Sequence, residues 1–319
     1  MCGIFGIIQS EDILNSTLNA LNDLEYRGYD SSGIAYINEN KEIQVYKSTG
    51  KIESLRNMLK NKDIKSNVMI AHTRWATHGT IKLDNAHPHY TENVAIVHNG
   101  IIDNYEELKT RLKRYKFYGE CDSEVIAKLM DSNLKTSQNS LEAFAKTVRL
   151  LKGSFAIECI VKGEDNTIYI AKRQSPIYVT RCGKSLLASS DLITFPDKVS
   201  KYLEIKENEI CVLKKESIKL YDFNLNKKEK HYKEYNLNEN KVTLGNFKHF
   251  MLKEIFDIPK ALNETQKAYI TNIKGMKKIN LQNYTEIHFI GCGTAYHSAC
   301  VGAYLVEKIC KIPAYSHIA

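Results

Sequence analysis

Several features are scarce in this sequence, and each scarcity excludes a class of protein. Eight cysteines fall at 2, 121, 159, 182, 211, 292, 300 and 310, and no two stand in CxxC spacing, which excludes a zinc ribbon or a thioredoxin-type site. A chain of 319 residues does not need disulfides, so the scattered cysteines suit buried reduced thiols in the cytosol and a cytoplasmic protein. No apolar run approaches the ~18–20 residues of a membrane helix, and the first apolar run is short and lacks a basic leader. No membrane partner is expected. Lysine and arginine outnumber acids by 45 to 37, but the net charge of +8 is spread along the whole length. The densest run, Lys227-Lys228-Glu229-Lys230-His231-Tyr232-Lys233, holds a glutamate and one aromatic. It reads as a solvated loop, so no nucleic-acid partner is expected either. What remains, at 43% hydrophobic and 26% charged residues, is a globular chain of one large or two ordinary domains.

The first eight residues, Met1-Cys2-Gly3-Ile4-Phe5-Gly6-Ile7-Ile8, carry the sharpest chemical signal. Removal of Met1, favoured before a small side chain, would give Cys2 a thiol and a free α-amine on one residue. An α-amine titrates near ~8 and serves as a base, while a thiol attacks carbonyls as its thiolate. Nucleophile and base would arrive together, without a histidine. Ile4, Phe5, Ile7 and Ile8 read as a buried strand holding this end in place. By itself, Cys2 is equally an ordinary residue near a frayed terminus.

Helical spacing predicts a helix over 11–26, capped by Ser10 or Asp12, and then the loop Tyr26-Arg27-Gly28-Tyr29-Asp30 before a strand at 34–37. Arg27 is either a ligand clamp or a helix C-terminal cation. Strand 68–71 runs into His72-Thr73-Arg74-Trp75-Ala76-Thr77-His78-Gly79, and strand 94–97 into His98-Asn99-Gly100. Five of the ten histidines lie between 72 and 98 without a helical pair or carboxylate triad, so they read as polar lining of a cleft; no metal or other cofactor is expected. An asparagine side-chain N–H beside a glycine N–H suits an oxyanion hole, although Asn-Gly is also a turn signal. Helices are predicted over 103–115, 122–133 (capped by Asp122 or Ser123) and 140–151. Six strand segments follow between 154 and 221. Asp122 is either that cap or a receptor for a substrate ammonium. Strand-rich ends around a helical middle imply two antiparallel sheets with helices packed against them. The polar stretch 222–246 is the best domain boundary. A helix over 248–270, broken near Pro259, precedes strand 287–290, the turn Gly291-Cys292-Gly293-Thr294 and a helix to about 310. Such a turn can cradle phosphate, but no dinucleotide fingerprint is complete.

Together these motifs resemble the glutamine-hydrolysing half of the glutamine–fructose-6-phosphate aminotransferase family. The resemblance runs through Met1–Gly6, Leu24–Ser31, Ala71–Gly79, Asn85–His89, Val97–Asn104, Cys121–Ile126, His249–Ile255 and Gly291–Thr294. It implies an α+β fold: a four-layer α-β-β-α N-terminal-nucleophile hydrolase sandwich over 1–238, then a hinge and truncated sugar isomerase domain over 239–319. It implies that Cys2 is acylated by glutamine and that Asn99 and Gly100 hold the oxyanion. Arg74 would pair with the glutamine α-carboxylate and Asp122 with its ammonium. Trp75, Thr77, His78 and His87 would line the pocket, with Arg27 and Gly28 in the nearby loop. Ammonia would pass to a sugar site past Trp75, and Gly293 and Thr294 would form part of a sugar-phosphate site.

The chain departs from the family in having Ala295 after Cys292-Gly293-Thr294, and Ile258 before Pro259. It also stops at Ala319. From this the expectation is that 267–319 are loosely held or exposed. Fructose 6-phosphate would be a partner only if the missing isomerase half were supplied, and the family's homodimer would be weakened. The competing readings are a non-catalytic sugar-phosphate-binding or regulatory fragment using Thr294, or a truncated product without function.

Overall fold

The computed structural model describes residues 2–76, 79–215, 217–235, 247, 250–272 and 284–319. The chain divides into two units, Met1–Thr243 and Leu244–Ala319.

The first unit is built on two antiparallel sheets. Its early strands are β1 (Gly3–Ile8), β2 (Ser31–Ile37), β3 (Ile43–Thr49), β4 (Val68–Arg74), β5 (His89–Tyr90) and β6 (Val94–Ile102). Then come β7 (Gly153–Val161), β8 (Thr167–Arg173), β9 (Tyr178–Cys182), β10 (Ser185–Ser189) and β11 (Lys201–Glu204). The last are β12 (Glu209–Lys214), β13 (Ser217–Asp222), β14 (Lys227–Lys228) and β15 (Tyr232–Glu234). One sheet runs β15-β11-β9-β10-β1-β4-β2-β3 and the other β14-β13-β12-β8-β7-β6-β5. The helices are α1 (Ile13–Asp23), α2 (Ile52–Leu59), α3 (Tyr105–Arg111), α4 (Glu124–Leu134) and α5 (Ser140–Leu150).

Three separate apolar cores define four layers. Ile13, Leu18 and Leu21 of α1 and Leu55 of α2 pack with Phe5, Ile7 and Met69 on the outer face of the first sheet. Ile4, Ile8, Val68 and Ile70 meet Ala95, Val97, Ala156 and Ile160 between the sheets. Val94, Ile96, Phe155 and Ile157 pack with Val125, Ile126 and Phe144 of α4 and α5. Alternate residues of one strand thus fall into different cores, as a period of two requires when both faces of a sheet are covered. The α-β-β-α sandwich read from the sequence is the observed architecture.

Helix α1 is capped by Asp12, one of the two expected residues, whose carboxylate accepts from Asn15 N–H. Other local details differ from expectation. Neither Asp122 nor Ser123 caps α4 with its side chain. Those side chains turn instead toward β6 and His98. The strand β3 and helix α2 were not anticipated. Of the eight cysteines, Cys292 and Cys310 are exposed rather than buried.

In the second unit, α6 (Phe250–Asn272) continues through Pro259, contrary to the predicted break. Proline removes one N–H donor and leaves the Ile255 carbonyl without its helical partner. Ile255 and Ile258 are more than half exposed, so water can satisfy that carbonyl. Strands β16 (Ile287–Gly291) and β17 (Ala314–Ile318) pair in parallel around α7 (Gly293–Cys310). Ala299, Ala303 and Ala314 are buried, while Ile290, Ile309 and Ile318 are each about 70% exposed. Among the described residues from 284 onward, the expected exposure is seen at most positions, together with regular secondary structure. No helix among the described residues is long and apolar enough to cross a membrane.

Candidate active site

Strand parity brings the candidate residues to one place. Ile4 and Ile8 of β1, Val68 and Ile70 of β4, and Ala95 and Val97 of β6 all face the gap between the sheets. Extending each series places Cys2, His72 with Arg74, and Asn99 on that same face. The register Gly3↔Thr73 and Ile4↔His72 sets Cys2 beside the end of β4.

At this mouth the Trp75 backbone N–H donates to Cys2 Sγ at 3.3 Å, and Cys2 Sγ lies 3.6 Å from the Trp75 carbonyl oxygen. Burial pushes the Cys2 thiol above its ordinary value, while the Trp75 backbone and the Arg74 and Arg27 charges pull it down. Asn99 Nδ2 donates to the Cys2 carbonyl at 3.0 Å. Next to it, Gly100 has φ 135°, and a Cβ there would lie 2.0 Å from the Ser154 carbonyl oxygen. Only glycine fits this position.

Arg74 is 4% exposed, and Nη1 donates to the Thr80 carbonyl at 3.5 Å. Arg27 pairs with Asp191 at 2.8 Å and donates to the Ser190 carbonyl. It joins the loop after β10 to the end of α1. A Cβ on Gly28 would lie 2.6 Å from the Arg74 carbonyl carbon, so Gly28 lets this loop lie against the Arg74–Trp75 peptide. Trp75 is 43% exposed and its ring lies 5.7 Å from that of Tyr29. Asp122 accepts from Ile102 N–H at 2.6 Å and from Ser123 Oγ at 3.3 Å. His87 is buried, its ring stacked 4.0 Å from that of His72. Thr77 and His78 lie outside the described residues. In the second unit, Gly293 opens α7 with φ 54°, and Thr294 is exposed in its first turn.

Three supporting groups escaped the sequence reading. Asp30 accepts from Ala76 N–H at 2.7 Å and its own N–H donates to the Arg74 carbonyl at 3.0 Å, so it brackets the turn 74–76. Glu124, ion-paired with Lys128 at 2.6 Å in a buried setting, accepts from Gly119 N–H at 2.7 Å and fixes the turn before Asp122. His72 Nε2 lies 3.1 Å from both the His98 carbonyl and Asn99 Oδ1. The sequence signals were weak: an aspartate after Gly-Tyr, a glutamate in a first helical turn, and one histidine among five.

A glutamine amidotransferase domain family matches residues 72–196. A solved structure described as the allosteric regulatory enzyme of purine biosynthesis superposes with a TM-score of 0.61 at 26% identity, covering 70% of this chain and 50% of that one. Glutamine phosphoribosylpyrophosphate amidotransferase from B. subtilis gives the same TM-score at 19% identity, covering 99% of this chain and 65% of that one, and shows the fold alone. Residues 72–196 thus match a glutamine amidotransferase domain, and the first unit shares its fold with these two enzymes. More particularly, the chain is similar over its full length to glutamine–fructose-6-phosphate aminotransferase (isomerizing) of Helicobacter pylori at 38% identity, covering 53% of that protein. The Aquifex aeolicus enzyme is 40% identical over 98% of this chain, again covering 53% of the relative. The chain therefore spans about half the length of the curated relatives it matches.

Proposed function

We propose that this chain hydrolyses the side-chain amide of glutamine through Cys2 and supplies the ammonia for conversion of fructose 6-phosphate to glucosamine 6-phosphate. The observation that carries the reading is the clustering of Cys2 Sγ, the Trp75 N–H and the Asn99 amide at one end of the inter-sheet gap.

In this reading Met1 is removed and the α-amine of Cys2 takes the thiol proton. The sulfur attacks the amide carbon of glutamine. The resulting oxyanion accepts from Asn99 Nδ2–H and Gly100 N–H, donors held in place before the reaction begins. Collapse expels ammonia, with its proton returned by the α-ammonium, and leaves a thioester. Water then attacks the thioester, glutamate leaves, and the thiol is restored. Arg74 holds the glutamine α-carboxylate with its planar fork, and Asp122 the α-ammonium. Trp75, Thr77, His78 and His87 shape the pocket, with Arg27 and Gly28 supporting it. Residues 1–238 form the glutaminase domain. Residues 239–319 form a hinge and the start of a sugar isomerase domain, in which Gly293 and Thr294 contribute to phosphate binding.

The test is intact mass combined with glutamate release. The proposal requires loss of Met1 and abolition of turnover in Cys2→Ala. Full turnover with Met1 retained, or in C2A, would refute it.

A further inference from the structure

We infer that His72 is a positioning residue that fixes which way the Asn99 amide faces; this rests on the reading of Asn99 as an oxyanion donor. A backbone carbonyl only accepts. The Cys2 carbonyl, 3.0 Å from the Asn99 amide, therefore faces Nδ2, and Oδ1 is turned to the other side. There it meets His72 Nε2 at 3.1 Å. The same nitrogen lies 3.1 Å from the His98 carbonyl, a second pure acceptor. Nε2 must therefore carry the proton, and the tautomer is set by the backbone. The result is a directed chain: His72 Nε2–H donates to the His98 carbonyl and to Asn99 Oδ1, and Asn99 Nδ2–H donates to the Cys2 carbonyl. One Asn99 proton is left over, and it is the one available to substrate.

The imidazole is suited to this task because it stays neutral. It is fully buried, and among the described residues its Nδ1 has no hydrogen-bond partner. Its ring is stacked on His87, which is also fully buried, and His89 stands edge-on to His87 at 4.6 Å. Burial and the neighbouring His98 and Arg74 charges hold His72 down to about 3. The ring is thus neutral, and the His98 carbonyl selects its Nε2–H tautomer.

Substitution can separate this role from packing. The amide nitrogen of glutamine reaches the place of Nε2, that of asparagine only the place of Nδ1, and methionine fills the space without a donor. Steady-state kinetics on the full 319-residue chain should show H72M and H72N lowering kcat about ten- to a hundredfold, with KM for glutamine little changed. H72Q should recover most of that loss. Asn99→Ala should itself lower kcat, and adding H72M to it should cost little more. Alkylation of Cys2 by iodoacetamide, which needs no oxyanion donor, should proceed at the wild-type rate in each folded variant. Wild-type kcat in H72M or H72N beside an impaired N99A would overturn the positioning role alone. So would H72Q no better than H72N when both are alkylated normally. An N99A variant with full kcat would instead overturn the oxyanion assignment beneath it.

Discussion

Glu158 should make this protein less stable as pH rises, and the size of the effect follows from where it sits. On β7, Ala156 and Ile160 face the gap between the sheets, so Glu158, which lies between them, does too. It is 0% exposed, and among the described residues neither carboxylate oxygen has a hydrogen-bond partner. Across the gap stands Gly6, where a Cβ would lie 2.4 Å from Glu158 Oε2. Burial alone raises this carboxyl well above its ordinary value of 4.5, so it is protonated when folded. The unfolded chain ionises the same group near its ordinary value and releases the proton. Raising pH therefore favours the unfolded state. The stability associated with Glu158 is complete below the ordinary glutamate range and is lost as pH climbs toward the folded-state value. While only the unfolded form is ionised, the slope is about 1.4 kcal/mol per pH unit. Two pH units within that range sum to about 3 kcal/mol, or a urea midpoint shift of about 1 M for a domain of this size. Glu158→Gln keeps the shape and removes the titration. Urea midpoints of wild type and E158Q should coincide near pH 4 and diverge steadily above pH 5, E158Q becoming the more stable. Parallel curves across that range would show that the carboxyl is hydrated or paired, and would refute the reasoning.

Three further outcomes follow from contacts already described. Gly6→Ala should lower stability by about 1–3 kcal/mol through its clash with Glu158, and Glu158→Ala in the same chain should relieve most of it, as read from denaturant midpoints. Arg74→Lys should raise KM for glutamine about tenfold or more with a smaller change in kcat, because a point charge cannot replace a two-pronged carboxylate contact; steady-state kinetics decide it. Asp30→Ala should also raise KM, with the thermal midpoint little moved, since it frees the Ala76 N–H that holds the turn carrying Arg74 and Trp75.

The four layers followed from the family resemblance, while the residues alone read as two antiparallel sheets with helices against them; the central strands carry the physical reason. Ile4, Gly6 and Ile8 against Phe5 and Ile7 already state two buried faces. The edge elements could not be read this way. In β3 every residue but Ser48 and Thr49 is half-buried, so Ile43, Val45 and Lys47 share a face and no alternation appears. Helix α2 shows only Ile52, Leu55 and Leu59 as anchors. Pro259 misled because a helix whose side chains face water tolerates a missing donor that a buried one would not. At the site, Cys2, Arg74 and Asn99 stood out by residue type and motif. His72 did not, because its role is set by two carbonyls: one from its neighbour in space on β6, the other through Asn99. No spacing within β4 encodes them.

The histidines also bear on which group takes the proton from the thiol. Burial holds His72, His87, His89 and His98 all below the ordinary imidazole value, and the charges of Arg74 and Lys47 reinforce this at particular members. His72 Nε2 is committed as a donor, and His89 Nε2 faces Cys121 Sγ at 3.1 Å. Among the described residues, Cys2 Sγ meets the Trp75 backbone and none of these rings. The thiol, raised by burial, is mostly protonated at neutral pH and needs a base. If that base is the α-amine, the acid limb of kcat/KM against pH should report a single group near ~8, the ordinary range of a chain-terminal amine. H72Q and His89→Gln should change the height of that profile and leave its midpoint in place. A midpoint that moves by a unit or more in either variant would make a histidine the base and remove the amine from the mechanism.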